Sequence, residues 1–128
     1  MLIFSFIVEK PSLINWPTVG FPSYFLTIQS SKGDIISLNI LDTNGVEKVK
    51  CVTESYYKKA DCCLLVYDIT NKYSFEECKS YYKSQIHIKC RKNRKTILVG
   101  NKSDLEDKRV ISNEEAKKFA FENDYLLI

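Results

Sequence analysis

Hydrophobic residues in this chain fall into short runs separated by polar or basic connections, and each run predicts an element. Leu2 to Val8, rich in Ile, Phe and Val, reads as a short buried strand. Pro11, Pro17, Gly20 and Pro22 break helix and strand alike through residues 9–22. Tyr24 to Gln29 predicts a second strand. Ile35 to Leu41 predicts a third, with Ile36, Leu38 and Ile40 on one face. Between them, Ser30-Ser-Lys-Gly-Asp34 has the composition of a hairpin turn, which makes the two strands antiparallel neighbours. Asp42 to Glu47 reads as a polar turn, and residues 48–60 as a basic, partly helical stretch. Cys62 to Tyr67 is continuously apolar, the pattern of a strand buried on both faces.

The second half alternates. Ser74 and Glu77 have capping-box spacing for a helix whose apolar stripe is Phe75, Cys78, Tyr82 and Ile86. Lys89 to Lys95 is strongly basic and reads as a solvated loop. Residues 96–100 predict another strand. Ser112 with Glu115 opens a helix with Ala116, Phe119 and Ala120 inward, and Tyr125 to Ile128 begins a last strand. A strand, a hairpin pair, then alternating strands and helices make a mixed, mostly parallel α/β sheet with right-handed crossovers.

Composition narrows the function classes. A chain of 128 residues with 45% hydrophobic and 27% charged residues suits one globular domain. A formal charge of +3 is too small to imply nucleic-acid binding. The five cysteines, Cys51, Cys62, Cys63, Cys78 and Cys90, lack CxxC spacing and are expected to be reduced thiols of a cytoplasmic protein. His87 is the only histidine, so a histidine metal cluster or triad is excluded. The apolar run at the amino terminus is far short of the ~20 residues of a transmembrane segment and lacks the features of a signal peptide. No cysteine lies near Ile128, so the sequence carries no prenylation signal.

The candidate chemistry lies in Leu98-Val-Gly-Asn-Lys-Ser-Asp104, an apolar strand that turns abruptly polar. Open α/β sheets bind ligands at the carboxyl ends of their strands, where Asn101, Lys102 and Asp104 would stand. This array suits a guanine base. The Asp104 carboxylate can accept from two adjacent ring donors, Asn101 offers a donor and an acceptor, and the Lys102 stem can lie along the base.

At these residues the chain resembles the small GTPases, and the likeness extends from Thr18 to the last residue. Thr18-Val-Gly20 is similar to the first switch, and Asp42-Thr-Asn-Gly45 to the second. Ser55 to Ala60, Leu65-Val-Tyr-Asp-Ile-Thr70, Ser74-Phe-Glu76 and Val99 to Leu105 come in family order. The tyrosine pair Tyr56-Tyr57 and the Leu65–Thr70 run are most like the Rab branch of vesicle traffic. The resemblance implies a P-loop-NTPase-type G domain over residues 18–128, preceded by a divergent segment at 1–17. It also implies GTP or GDP held by Asn101, Lys102 and Asp104, magnesium held by Thr18 and Asp42, and effector or regulator proteins as partners.

The chain departs from the family where phosphate chemistry is done. Its four glycines, Gly20, Gly33, Gly45 and Gly100, do not form the GxxxxGK(S/T) loop that cradles phosphates, and the Ser-Ala-Lys box is absent, so the domain is expected to be incomplete at both ends. Losing roughly five charge-assisted hydrogen bonds costs on the order of 10 kcal/mol, about seven decades of affinity. Val46 stands where a glutamine orients the attacking water, and Asn44 replaces an alanine beside the third phosphate. Phe21-Pro-Ser23 and Leu41 replace residues that Rab partners read. No catalytic residue is therefore expected. Leu2 to Val8 either fills the slot of the family's central first strand or is an arbitrary extension; residues 9–17 span up to ~30 Å, enough to reach the first switch without a helix. The expectations for function are an interaction module without turnover, a fragment of a working GTPase, or a chain that does not fold stably.

Overall fold

A computed structural model describes residues 2–9, 23–43, 57–90 and 94–128. Among the described residues the strands are β1 (Leu2–Glu9), β2 (Ser23–Gln29), β3 (Ile35–Thr43), β4 (Cys62–Asp68), β5 (Lys95–Asn101) and β6 (Leu126–Leu127). These six form one sheet in the order β2-β3-β1-β4-β5-β6. The β2–β3 hairpin is antiparallel, with Leu26 opposite Leu38, and every other pairing is parallel. Its turn closes as the composition predicts: Gly33 takes φ 88° and donates to the Ser30 carbonyl at 2.9 Å.

β1 lies between β3 and β4. Leu2 to Glu9 align with Ile36 to Thr43 on one side, and Phe6 to Glu9 with Cys62 to Leu65 on the other. This pairing carries β3 past its expected end at Leu41, since Val8 aligns with Asp42 and Glu9 with Thr43. Asp42 is therefore a strand residue rather than the start of a polar turn. Thr18, Gly20, Asn44, Gly45, Val46 and Tyr56 lie outside the described residues, as do residues 48–55 of the stretch expected to be partly helical; residues 57–59 form a helical turn.

After β4 the chain crosses over through α1 (Lys72–Glu77), a π-helical segment (Cys78–Tyr82) and α2 (Lys83–Lys89). The start of α1 differs from the expected one. Asn71, not Ser74, is the N-cap, its Oδ1 accepting from the Ser74 N–H at 3.3 Å. Ser74 is buried inside the helix, where its hydroxyl accepts from the Asp68 N–H at 3.0 Å and donates to the Asn71 carbonyl at 2.8 Å. The predicted stripe survives: Phe75, Cys78 and Ile86 are buried, and Tyr82 packs against the core. α3 (Asn113–Glu122) starts as predicted, with Ser112 Oγ accepting from the Glu115 N–H at 3.1 Å, and buries Ala116, Phe119 and Ala120.

The core gathers where β4 and β5 meet these helices. Phe75 contacts the Tyr67 ring at 4.8 Å and the Phe119 ring at 5.7 Å; Phe119 in turn meets Tyr125 at 5.8 Å. β4, α1, α3 and the approach to β6 are thus joined by aromatic contacts. The β2–β3 hairpin contrasts with this, leaving Tyr24, Phe25, Leu26, Ile28 and Ile35 exposed. No helix among the described residues is long and apolar enough to cross a membrane.

Candidate functional site

The carboxyl ends of β3, β1, β4 and β5 lie along one edge of the sheet. On one side of β1 is β3 and on the other β4, so the connections diverge there: β1 is the topological switch point, where open α/β sheets bind ligands. Asp42, near the end of β3, and Asn101, ending β5, are three strand spacings apart, about 14 Å.

β5 delivers the polar loop. Tyr67 aligns with Gly100 and Asp68 with Asn101. Gly100 sits at a close approach: a Cβ there would lie 3.0 Å from Tyr67 Oη and 3.2 Å from Ile69 Cγ2, so those side chains would have to give way. Asn101 accepts the Ile69 N–H on its carbonyl at 3.2 Å, joining the ends of the two strands. Its Oδ1 accepts the Lys102 N–H at 2.9 Å, supporting Lys102 in the left-handed conformation at φ 66°. The Leu105 N–H then donates to the Lys102 carbonyl at 2.9 Å and opens a 3-10 segment, Ser103–Lys108, that carries Asp104.

Lys102 does not extend freely into solvent. Its Nζ lies 2.7 Å from Asp68 Oδ2 at the end of β4. The other oxygen of that buried carboxylate accepts from the Thr70 N–H at 2.8 Å and the Thr70 hydroxyl at 2.7 Å. Burial alone pushes the Asp68 carboxyl up; the hydrogen bonds from Lys102 and Thr70 outweigh it and hold it below the usual carboxylate range. Asn101 and Asp104 are exposed. The loop thus presents an amide, a carboxylate and a lysine stem whose charge is compensated from below.

The far side of the loop is fastened as well. Ile69 accepts the Val110 and Ile111 N–H groups at 2.9 and 3.2 Å. Arg109 grips Glu106 with two contacts of 2.7 Å and donates to the Ile111 carbonyl at 3.1 Å. Tyr67 sits under this loop, its hydroxyl pushed up by burial against the opposing effect of Arg109. Of the predicted site residues, the structure places Asn101, Lys102 and Asp104 on one loop and Asp42 along the same edge. Sequence reasoning missed the bond from Lys102 to Asp68, which only the register setting Asp68 beside Asn101 reveals. Among the described residues, no cluster of His, Cys, Asp or Glu is arranged to hold a metal ion.

A mixed, mostly parallel sheet with its switch point at β1 and an Asn-Lys-x-Asp loop at the end of β5 is the architecture of an open α/β domain. The family model described as the Ras family matches residues 1–128, so it takes in residues 1–17 as well. Ras-related protein Rab-2B of Dictyostelium discoideum is 45% identical over 92 residues, covering 69% of this chain and 43% of that protein. Ras-related protein RABA4b of Arabidopsis thaliana is 36% identical over 121 residues, 93% of this chain and 52% of that protein. Ras-related protein Rab-42 of Homo sapiens is 36% identical over 103 residues, 80% of this chain and 47% of that protein. The chain belongs to the Ras-like small GTPases, in their Rab branch, and its fold is the Ras-family G domain. It spans about half the length of the curated relatives it matches.

Proposed function

We propose that this chain is a Rab-type G domain that keeps a guanine-reading loop, binds GTP or GDP weakly or not at all, turns over no GTP and works through protein partners. The observation that carries this reading is the composition of the connection after β1. β1 occupies the switch point, and the next residues are Lys10-Pro-Ser-Leu-Ile-Asn-Trp-Pro17, with no glycine before Gly20. Backbone amides of a glycine-rich loop, its lysine and its magnesium-binding hydroxyl would all have to come from that connection.

On this reading Asp104 and Asn101 face the base edge and the Lys102 stem lies along its plane. Asp42 and Thr18 are what remains of a magnesium site without its phosphate partners. Val46 has no polar atom to orient a water, so turnover is lost separately from binding. Partners of the Rab effector or regulator kind have an exposed apolar surface to meet at Tyr24, Phe25 and Leu26 of β2.

Titration with a fluorescent guanine nucleotide and magnesium tests the reading. The expected dissociation constant is in the tens of micromolar or weaker; binding tighter than about 1 μM, near −8 kcal/mol, overturns it. Where weak binding is measured, Asp104→Asn shifts preference from guanine toward xanthine, and an unchanged preference removes Asp104 from base reading. A second reading, a piece of a longer GTP-hydrolysing Rab protein, draws on the half-length coverage of the relatives. A GxxxxGK(S/T) loop in the full transcript would establish it, and such a loop would bring its own first strand to compete with Leu2–Glu9 for the central slot.

A further inference from the structure

Two thiols far apart in sequence meet beside the core. Cys63 lies on β4, fully buried, and Cys90 comes directly after α2, half-buried. Their sulfurs are 3.4 Å apart across 27 positions of chain. A disulfide needs about 2 Å, so closure asks for a displacement of little more than an ångström. Cys90 is suited to such a shift, because it stands past the last turn of α2 in extended backbone at φ −79° and ψ 152°.

We propose that Cys63 and Cys90 form an oxidant-responsive thiol pair, with Cys90 meeting a hydroperoxide and Cys63 closing the disulfide. The division of labour rests on access. Cys63 has no exposed surface, whereas Cys90 is reachable from solvent. Hydrogen bonding from Cys63 and the nearby Arg94 charge hold the Cys90 thiol below its ordinary range despite burial, which enriches the reactive thiolate. The other described cysteines are placed differently. Cys62 is buried, pushed up by that burial, and its thiol points to the Cys63 carbonyl at 3.8 Å; Cys78 is buried with its thiol 3.7 Å from the Val66 carbonyl.

The chemistry balances with hydrogen peroxide as the oxidant. The Cys90 thiolate attacks one peroxide oxygen; an S–O bond forms, the O–O bond breaks, and hydroxide leaves to take up a proton as water. Cys90 is then a sulfenic acid, oxidised by two electrons. The Cys63 sulfur attacks the Cys90 sulfur, the S–S bond forms, the S–O bond breaks, and the departing hydroxide takes the Cys63 proton to give a second water. The product ties the carboxyl end of the crossover helix to β4.

The test uses the full chain, reduced, freed of reductant and treated under native conditions with stoichiometric hydrogen peroxide, then mapped by mass spectrometry. The expected product is a peptide pair joining Cys63 to Cys90, short of two hydrogen atoms and restored by dithiothreitol. Native alkylation of Cys90 falls by about tenfold or more after peroxide. In Cys63→Ala the Cys90 sulfenic acid persists and is trapped by dimedone; should that variant not fold, the map of the unsubstituted chain decides alone. A cross-link joining Cys90 to Cys51 or Cys62, a cross-link that forms only in denaturant, or oxidation that leaves Cys90 a thiol would each overturn the proposal.

Discussion

Replacing Lys102 by Met removes its charge, keeps most of its stem, and tests whether the polar loop is held by the fold itself. Asp68 is buried, and Thr70 gives its carboxylate two neutral hydrogen bonds, so Lys102 supplies its counter-charge. Breaking a fully buried pair by removing one partner costs about 3–5 kcal/mol. Lys102 is 47% exposed, so water re-enters on its side once the ammonium is gone. The lost contact then approaches a single charged hydrogen bond, about 2 kcal/mol. For a domain of this size that is a fall of about 6–12 °C in Tm. Left-handed backbone at residue 102 is strained equally by Lys and Met, so the difference reports the ion pair.

The pH dependence separates this mechanism from a general packing loss. Asp68 is held below the usual carboxylate range in the folded chain, so its contribution is fully present above the unfolded value, about 3.9, and fades as pH falls through the lower folded value. In Lys102→Met the desolvation that raises Asp68 remains while its cationic partner is gone, so its proton is taken up at higher pH. Urea unfolding of both chains at pH 7 and pH 3 should therefore show a deficit that is largest at neutral pH and shrinks in acid. A deficit that is constant with pH, or below about 0.5 kcal/mol at pH 7, refutes the reasoning.

The same packing sets three further outcomes. Phe75→Ala, which empties the contact with Tyr67 and Phe119, should cost about 3–5 kcal/mol in denaturant unfolding. Gly100→Ala places a methyl 3.0 Å from Tyr67 Oη and should destabilise by about 1–2 kcal/mol, reduced by the strand preference of Ala over Gly. Asn71→Ala should cost about 1 kcal/mol through loss of the α1 cap; an equal stability of the two chains would restore the capping role to Ser74.

Most strands were legible because burial imposes a pattern that sequence carries directly. The run from Cys62 to Tyr67 has its apolar residues on both faces because both faces are covered, and Gly33 marks its turn because φ 88° demands it. The errors arose where pairing or a buried polar group decides. Ser74 and Glu77 have the right spacing for a cap, but the Ser74 hydroxyl is needed inside, on the Asp68 backbone, and the helix starts nearly one turn earlier at Asn71. β3 runs on through Asp42 and Thr43 because β1 lies alongside to pair with it, and no local propensity records that neighbour. That β5 ends in a polar segment carrying Asn101, Lys102 and Asp104 was legible; the partner that fixes Lys102 was not, since Asp68 is 34 positions away by number and adjacent only by register.

That partner changes the weight the loop carries as a sign of function. A base-reading motif is commonly treated as present for its ligand. Here Asn101 and Lys102 each have a structural engagement with β4, β5 and the adjoining loops. Asn101 accepts the Lys102 N–H, Lys102 neutralises Asp68, and the Ile69 carbonyl accepts from Val110 and Ile111. Removing Asn101 or Lys102 would unsettle the end of the sheet whether or not a nucleotide ever arrives. Their bonds serve the fold, whereas Asp104 stands exposed in its 3-10 segment. The experiment that speaks to the proposed function is accordingly the substitution of Asp104, whose side chain is exposed at this end of the sheet.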